Sequence, residues 1–153
     1  MTPYASNARN ADGGYNVRIN PNADRAYFAH ELGHIASDQT DIGRLIRSAR
    51  GNKALSRSLM AAGVLGGAGT AALTPGDDDL ATSIALSYAA AAPEILDEAL
   101  ASKNALAIMD NAGMRASLGQ RGRLAGGLLT YLAAPLLIGA STNFAGNLVD
   151  EDI

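Results

Sequence analysis

The 153-residue sequence predicts a mostly helical protein. Three observations support this class: the composition, one motif with helical spacing, and long segments without charged residues. Ala, Gly and Leu dominate an apolar fraction of 48%, whereas aromatic residues make up 5% and Trp is absent. Small side chains of this kind favour helices that pack closely against one another. A chain of this length is expected to form a single domain over residues 1–153.

The amino-terminal third is predicted to contain an irregular lead over 1–14, followed by a strand and a motif-bearing helix over 15–57. Apolar and polar residues alternate from Tyr15 to Asn20, which is typical of a short, half-exposed strand. Either Asn22 or Asp24 can cap the helix that follows, from Asp24 to about Ser37. Because the first 24 residues are polar, we expect no cleavable secretory signal.

Apolar, Ala- and Gly-rich segments occupy much of the remaining chain. They predict an apolar hairpin over 58–93 and an apolar helix over 124–149, with a charged helix over 94–113 between them. A membrane-spanning helix needs about 20 apolar residues, and the last segment meets that length. Basic residues flank both apolar blocks on the side that carries the motif, so the sequence predicts membrane association with the motif in the cytoplasm. The alternative is burial of these helices by protein, in a soluble or virion-borne bundle.

The segment Phe28–Ile35 carries the motif HExxH, with His30, Glu31 and His34. Residues four apart lie on one face of a helix, so both imidazoles can bind one ion, for which Zn²⁺ is the predicted choice. Glu31 is placed to take a proton from a water activated by that metal, as the general base of zinc-dependent hydrolysis. The alternative is a helix with two solvated or core histidines.

A catalytic zinc usually has three protein ligands, and the sequence restricts the third to a carboxylate. There are only two His and no Cys, which also excludes a disulfide scaffold and thiolate zinc sites. The glutamates downstream of the motif are Glu94, Glu98 and Glu151. Asp38 and Asp41 follow the motif too closely to fold back onto its metal easily. From the residues alone, Glu98 is equally well interpreted as one of several acids on a solvated helix face.

The stretch Glu98-Ala-Leu-Ala-Ser102 resembles the Glu-x-x-Ala-Ser signature that supplies the third ligand in membrane-associated gluzincins. Over about residues 15–140, the order of elements is similar to that of the bacterial neutral zinc metallopeptidases. This resemblance implies a minimal zincin-like pair formed by the HExxH helix and the Glu98 helix, with Glu98 as third ligand. It also implies that Val17–Ile19 is an edge strand along which a peptide substrate lies. The chain departs from the family in lacking its amino-terminal membrane helix and in a shorter linker, as in a shortened or phage-borne relative.

The remaining site assignments are less specific. Glu94, one helical turn before Glu98, is the fallback ligand, and Asp97 is expected to face elsewhere. The candidates for stabilising an oxyanion are polar side chains that can equally serve a structural role, namely Tyr88, Tyr131, Asn104 and Arg121.

The function that these features predict is zinc-dependent hydrolysis of a peptide or protein substrate. The rival is a structural or membrane-active assembly protein, such as an internal phage virion component, that retains a peptidase-like metal site. A net charge of -3 without interleaved basic and aromatic residues argues against a nucleic-acid partner. The sequence is compatible with an oligomer.

Overall fold

The computed structural model describes residues 5–51, 58, 61 and 77–150, and this part of the chain is mostly helical with one short two-stranded sheet. The mostly-α class is therefore confirmed. The chain divides into two compact units, Met1–Arg47 with Leu96–Leu129 and Ser48–Ile95 with Thr130–Ile153. Most of the first arm of the predicted apolar hairpin lies outside the described residues.

An antiparallel hairpin opens the first unit. Strand β1 (Ala5–Arg9) pairs with strand β2 (Tyr15–Ile19), with Arg9 opposite Tyr15 nearest the turn. Gly13 takes a φ of +87°, a left-handed conformation that favours glycine, and its N–H donates to Asn10 O at 3.1 Å. The prediction of an irregular lead over 1–14 missed β1, because this polar strand has no apolar alternation and owes its conformation to backbone pairing with β2.

Helix α1 (Arg25–Asp38) carries the HExxH motif, as predicted. The Asp24 side chain accepts a hydrogen bond from Ala26 N at 2.8 Å and so selects Asp24, rather than Asn22, as the cap. Helix α2 (Asp41–Gly51) follows after a tight connection in which Thr40 Oγ1 accepts from Gly43 N. A side chain at Gly43 would collide with the Ser37 backbone, so glycine is required at this close approach.

Helix α3 (Asp77–Asn111) is one continuous helix. The prediction instead divided this part of the chain between the apolar hairpin over 58–93 and a separate helix over 94–113. Pro93 lies inside α3, where it has no N–H to donate, and the helix continues after it. Helix α4 (Leu118–Asp150) likewise contains a proline, Pro135. Both helices contribute to both compact units.

The core of the first unit consists of small and flexible apolar residues from α1, α3 and α4: Ala26, Ala29, Ala105, Met109 and Leu124. Gly33 of α1 lies against the backbone of Ala101, where an added Cβ would be 2.9 Å from the Ala101 carbonyl carbon. The helices therefore approach much more closely than larger side chains would allow, and this close crossing determines how far α1 lies from the residues of α3.

The second unit packs the first half of α3 against the carboxyl-terminal half of α4. An added Cβ at Gly139 would be 2.6 Å from Ile84 Cα, which shows a second close approach between backbones. The Tyr88 hydroxyl donates to Leu132 O at 2.7 Å across the same pair of helices. Small residues thus shape the packing in this unit as they do in the first.

The segment Leu118–Ala145 of α4 is long and apolar enough to cross a membrane, and 17% of its most apolar stretch is buried within the protein. Large apolar side chains on this segment are exposed, among them Leu129, Leu136, Leu137 and Phe144. An apolar surface of this extent is typical of a face that is covered by lipid or by another protein.

Candidate metal centre

Helix α1 presents His30 and His34 side by side. The imidazole centroids are 4.8 Å apart and the ring planes make an angle of 82°. This arrangement follows from the spacing of four residues, which returns the second side chain to the same helix face. The small residues Ala26, Gly33 and Ser37 are buried on this side of α1, and both imidazoles contact Glu98 of α3.

Helix α3 brings the Glu98 carboxylate to both rings. Its Oε2 lies 3.1 Å from His30 Nε2, and its Oε1 lies 3.6 Å from His34 Nε2. Glu98 and His34 are only 8% and 9% exposed, so three polar groups converge in a largely dry site. His30, His34 and Glu98 are the three residues predicted as metal ligands. The fold brings them together although His30 and Glu98 are 68 positions apart in the sequence.

The donor set could hold a metal ion. Potential ligand atoms of the three residues all lie within 4.8 Å of one another. Zinc bonds of about 2.0–2.2 Å to nitrogen and oxygen, in tetrahedral geometry, put ligand atoms roughly 3.3 Å apart. The nitrogen–oxygen distances of 3.1 and 3.6 Å bracket that value. Two imidazoles and one carboxylate are also a ligand set that leaves a fourth position open.

The outer nitrogens of both rings also contact α3. His34 Nδ1 lies 3.0 Å from Asp97 Oδ2, and Asp97 is 4% exposed. His30 Nδ1 lies 3.4 Å from the Ser102 hydroxyl. The expectation that Asp97 faces elsewhere was therefore wrong, because residues 97, 101 and 105 recur at four-residue spacing on the face that packs against α1. This spacing, with alanines at its other two positions, was the signal that could have placed Asp97 inside.

Asn104 holds the two helices at this distance. Its side-chain amide donates to Gly33 O at 3.2 Å and to Ser37 Oγ at 2.9 Å. Its amide group is thus engaged with α1, which is a structural role and not the oxyanion-stabilising role for which it was a candidate. The hydrogen bonds and the Gly33 contact together keep the carboxylate of Glu98 near the histidines.

Glu31, the predicted general base, follows His30 on α1 and is half-buried. It is adjacent in sequence to one predicted ligand and lies between both along the helix. Its role in proton transfer stays a prediction.

The fallback ligand Glu94 is engaged elsewhere. Both of its carboxylate oxygens accept hydrogen bonds from Arg50, at 2.7 Å each, within the second unit. This bidentate pair occupies the atoms that a metal would need. Glu151 lies outside the described residues, which leaves Glu98 as the downstream glutamate that the described structure brings to the histidines.

The two aspartates that follow the motif are also paired. Asp38 Oδ2 accepts from the Tyr15 hydroxyl at 2.8 Å and lies 2.7 Å from an Arg47 nitrogen. Burial, together with the hydrogen bond to Asp38, raises the pKa of Tyr15 above its ordinary value. Asp41 pairs with Arg44 on the surface of α2. The cluster of Tyr15, Asp38 and Arg47 joins β2 to α1 and α2, and so fixes the strand beside the motif helix.

Two further oxyanion candidates have structural contacts. The Tyr88 hydroxyl binds a backbone carbonyl of α4, and Arg121 Nε donates to Ala116 O at 3.2 Å at the start of α4. Tyr131 is half-buried in the second unit. These contacts identify no group that stabilises an oxyanion at the cluster.

Strand β2 pairs with β1 through one of its edges, and in the described part of the chain no other strand pairs with it. A peptide predicted to lie along Val17–Ile19 would pair with the opposite edge of this strand.

Comparison with known proteins finds no match among family models, curated proteins or solved structures. The geometry of the cluster is therefore the basis on which a function is proposed.

Proposed function

We propose that this chain is a zinc-dependent peptidase of the HExxH gluzincin type, related to the bacterial neutral zinc metallopeptidases. His30, His34 and Glu98 would hold the metal, and Glu31 would serve as the general base. The observation that carries the proposal is the position of Glu98, whose two oxygens lie 3.1 and 3.6 Å from the inner nitrogens of the two histidines. A buried carboxylate in contact with the inner nitrogens of both histidines is the third ligand that a shared metal ion would need.

The proposed reaction uses the residues of the cluster in separate roles. A zinc ion at such a site lowers the pKa of bound water and polarises the carbonyl to be attacked. Glu31 takes the proton from the attacking water and returns it to the departing amine. Burial of Glu98 and His34 limits access of bulk water, which strengthens electrostatic interactions within the site. The free edge of β2 would orient the peptide through backbone hydrogen bonds.

We further propose that α4 anchors the protein in a membrane. The exposed leucines of the segment Leu118–Ala145 support this, since they would otherwise face water. Arg115, Arg121 and Arg123 lie at the amino-terminal end of the segment, which favours a cytoplasmic position for that end and for the motif.

The exposed face of α4 also supports a second candidate function. Protein subunits could cover the same leucines in an oligomer or in a larger assembly, such as the interior of a virion. In that case the chain would be a structural component with a peptidase-like metal site. Metal content and hydrolysis separate the two candidates, because an assembly component does not need Glu31 for its role.

The first test is metal content, measured by elemental mass spectrometry on protein purified without a His tag. We expect one zinc per chain in the wild type, and loss of zinc in His34→Ala and in Glu98→Ala. Glu94→Ala is the matched control, since it removes a glutamate one turn away that is paired with Arg50, and it should retain zinc.

The second test separates binding from chemistry. Glu31→Gln should retain zinc and lose hydrolysis of a casein or peptide library substrate, because it removes only the proposed base. A wild type without zinc, even after zinc is supplied, would contradict the proposed function. Zinc binding with no hydrolysis of any peptide would instead favour the assembly protein.

A further inference from the structure

The outer nitrogens of the two histidines have unequal partners. His34 Nδ1 contacts a carboxylate, Asp97, at 3.0 Å, whereas His30 Nδ1 contacts a neutral hydroxyl, Ser102, at 3.4 Å. Asp97 is 4% exposed and His34 is 9% exposed, so this contact is almost entirely removed from water. Burying a carboxylate is costly unless a donor satisfies it, and the Nδ1–H group of His34 is such a donor.

We infer that Asp97 is a positioning residue for the metal site, one that holds the His34 ring with its proton on Nδ1 and its Nε2 lone pair directed at the metal. The inference rests on the proposed zinc site. It follows from geometry, because Nε2 of His34 faces Glu98 while Nδ1 faces Asp97, so each nitrogen has a different partner on the same helix. By accepting a hydrogen bond from Nδ1–H, the Asp97 carboxylate also makes Nε2 of His34 a more basic ligand.

The distances predict that the two outer partners contribute unequally. A charged acceptor at 3.0 Å forms a stronger hydrogen bond than a neutral hydroxyl at 3.4 Å, which lies near the limit for such bonds. Loss of an outer partner typically lowers metal affinity by about 10- to 100-fold. We expect Asp97→Ala to show an effect in this range, and Ser102→Ala, the comparison variant at the other histidine, to show less than about 10-fold.

The experiment measures zinc affinity by competition with a chromophoric chelator at fixed pH, using the full chain. The variants are Asp97→Ala, Asp97→Asn and Ser102→Ala, each compared with the wild type. Asn retains an oxygen that can accept a hydrogen bond from Nδ1–H, so Asp97→Asn should bind zinc more tightly than Asp97→Ala and less tightly than the wild type. It also supplies the comparison if Asp97→Ala fails to fold.

A second readout distinguishes positioning from a purely structural role. Nitrogen-15 NMR of the His34 ring reports which nitrogen carries the proton, and we expect Nδ1–H in the zinc-free wild type and a mixture of tautomers in Asp97→Ala. Equal zinc affinity of Asp97→Ala and the wild type, or an unchanged tautomer, would overturn the inference while leaving the zinc site intact. A wild type that binds no zinc would overturn both the site and the positioning role.

Discussion

Gly33→Ala is the most direct test of the idea that a close helix crossing builds the site. An alanine Cβ at this position would lie 2.9 Å from the Ala101 carbonyl carbon and 3.1 Å from its Cα, and closer still to the carbonyl oxygen. Carbon atoms reach their best separation at about 3.5–4.0 Å, so the two backbones must part by roughly 1 Å to accept the methyl group. Neither neighbour is the end of a flexible side chain that could move aside.

The cost has two parts. Forcing a methyl group into a packed site costs about 1–3 kcal/mol, and the higher helix propensity of Ala offsets about 1 kcal/mol of it. We therefore expect a net loss of up to about 2 kcal/mol in the free energy of unfolding. Glu98 lies one turn from Ala101, so a displacement of roughly 1 Å also exceeds the tolerance of about 0.2 Å for metal–ligand bonds. Zinc affinity should fall by at least about tenfold.

The matched control is Gly122→Ala on α4, where an added Cβ meets no atom within 4 Å. The same chemical change should there increase stability by about 0.5–1 kcal/mol. Urea unfolding of the zinc-free proteins, followed by circular dichroism, measures both effects, and chelator competition measures zinc affinity. If Gly33→Ala were as stable as Gly122→Ala and bound zinc as tightly as the wild type, the close crossing would not be what builds the site.

Three other perturbations test the surroundings of the site. The Asp24 carboxylate accepts hydrogen bonds from Ala26 N of α1 and from Gln120 and Arg123 of α4, and these lower the pKa of Asp24. The stability that the ionised Asp24 contributes is therefore complete above about pH 4 and is lost as the pH falls through the lowered pKa. Asp24→Ala should therefore cost about 1–2 kcal/mol at pH 7 in urea unfolding, with a deficit that shrinks below pH 4; a deficit independent of pH would refute this account. Tyr15→Phe removes the donor to Asp38 and should cost about 1 kcal/mol by the same assay, and an unchanged stability would show that this hydrogen bond contributes nothing. Because the sequence has no cysteine, labelling of a single introduced cysteine by an aqueous maleimide measures the exposure of that position. In bilayers, Leu137→Cys should resist the maleimide and Arg115→Cys should react. Equal labelling of the two variants would argue against a membrane-embedded α4.

The sequence predicted those features that depend on local spacing. A cap at Asn22 or Asp24 and the four-residue separation of His30 and His34 are properties of one helix, and in α1 the cap is Asp24. The apolar length of α4 is equally local. The association of Glu98 with the histidines came from a family resemblance, and the structure brings these three residues together.

Features that depend on contacts between distant segments were not predictable from local patterns. Strand β1 has the polar composition of a loop and becomes a strand through pairing with β2. The orientation of Asp97 depends on which face of α3 meets α1, and charged residues on a helix are more often solvated. The predicted boundary between 58–93 and 94–113 falls at Pro93, yet the helix continues through this residue.

The ligands of the proposed centre come from only two helices, and His30 and Glu98 are separated by 68 positions. An ion bound by both helices would therefore act as a cross-link that exists only in the folded chain. Binding that is confined to the native state adds stability in proportion to the logarithm of ligand concentration, about 2.7 kcal/mol when free zinc is 100 times the dissociation constant. Within the described residues, the core of the first unit offers little reserve, since alanines make up most of it. The supply of zinc in the cell would then govern how much folded protein persists, independently of any catalytic demand.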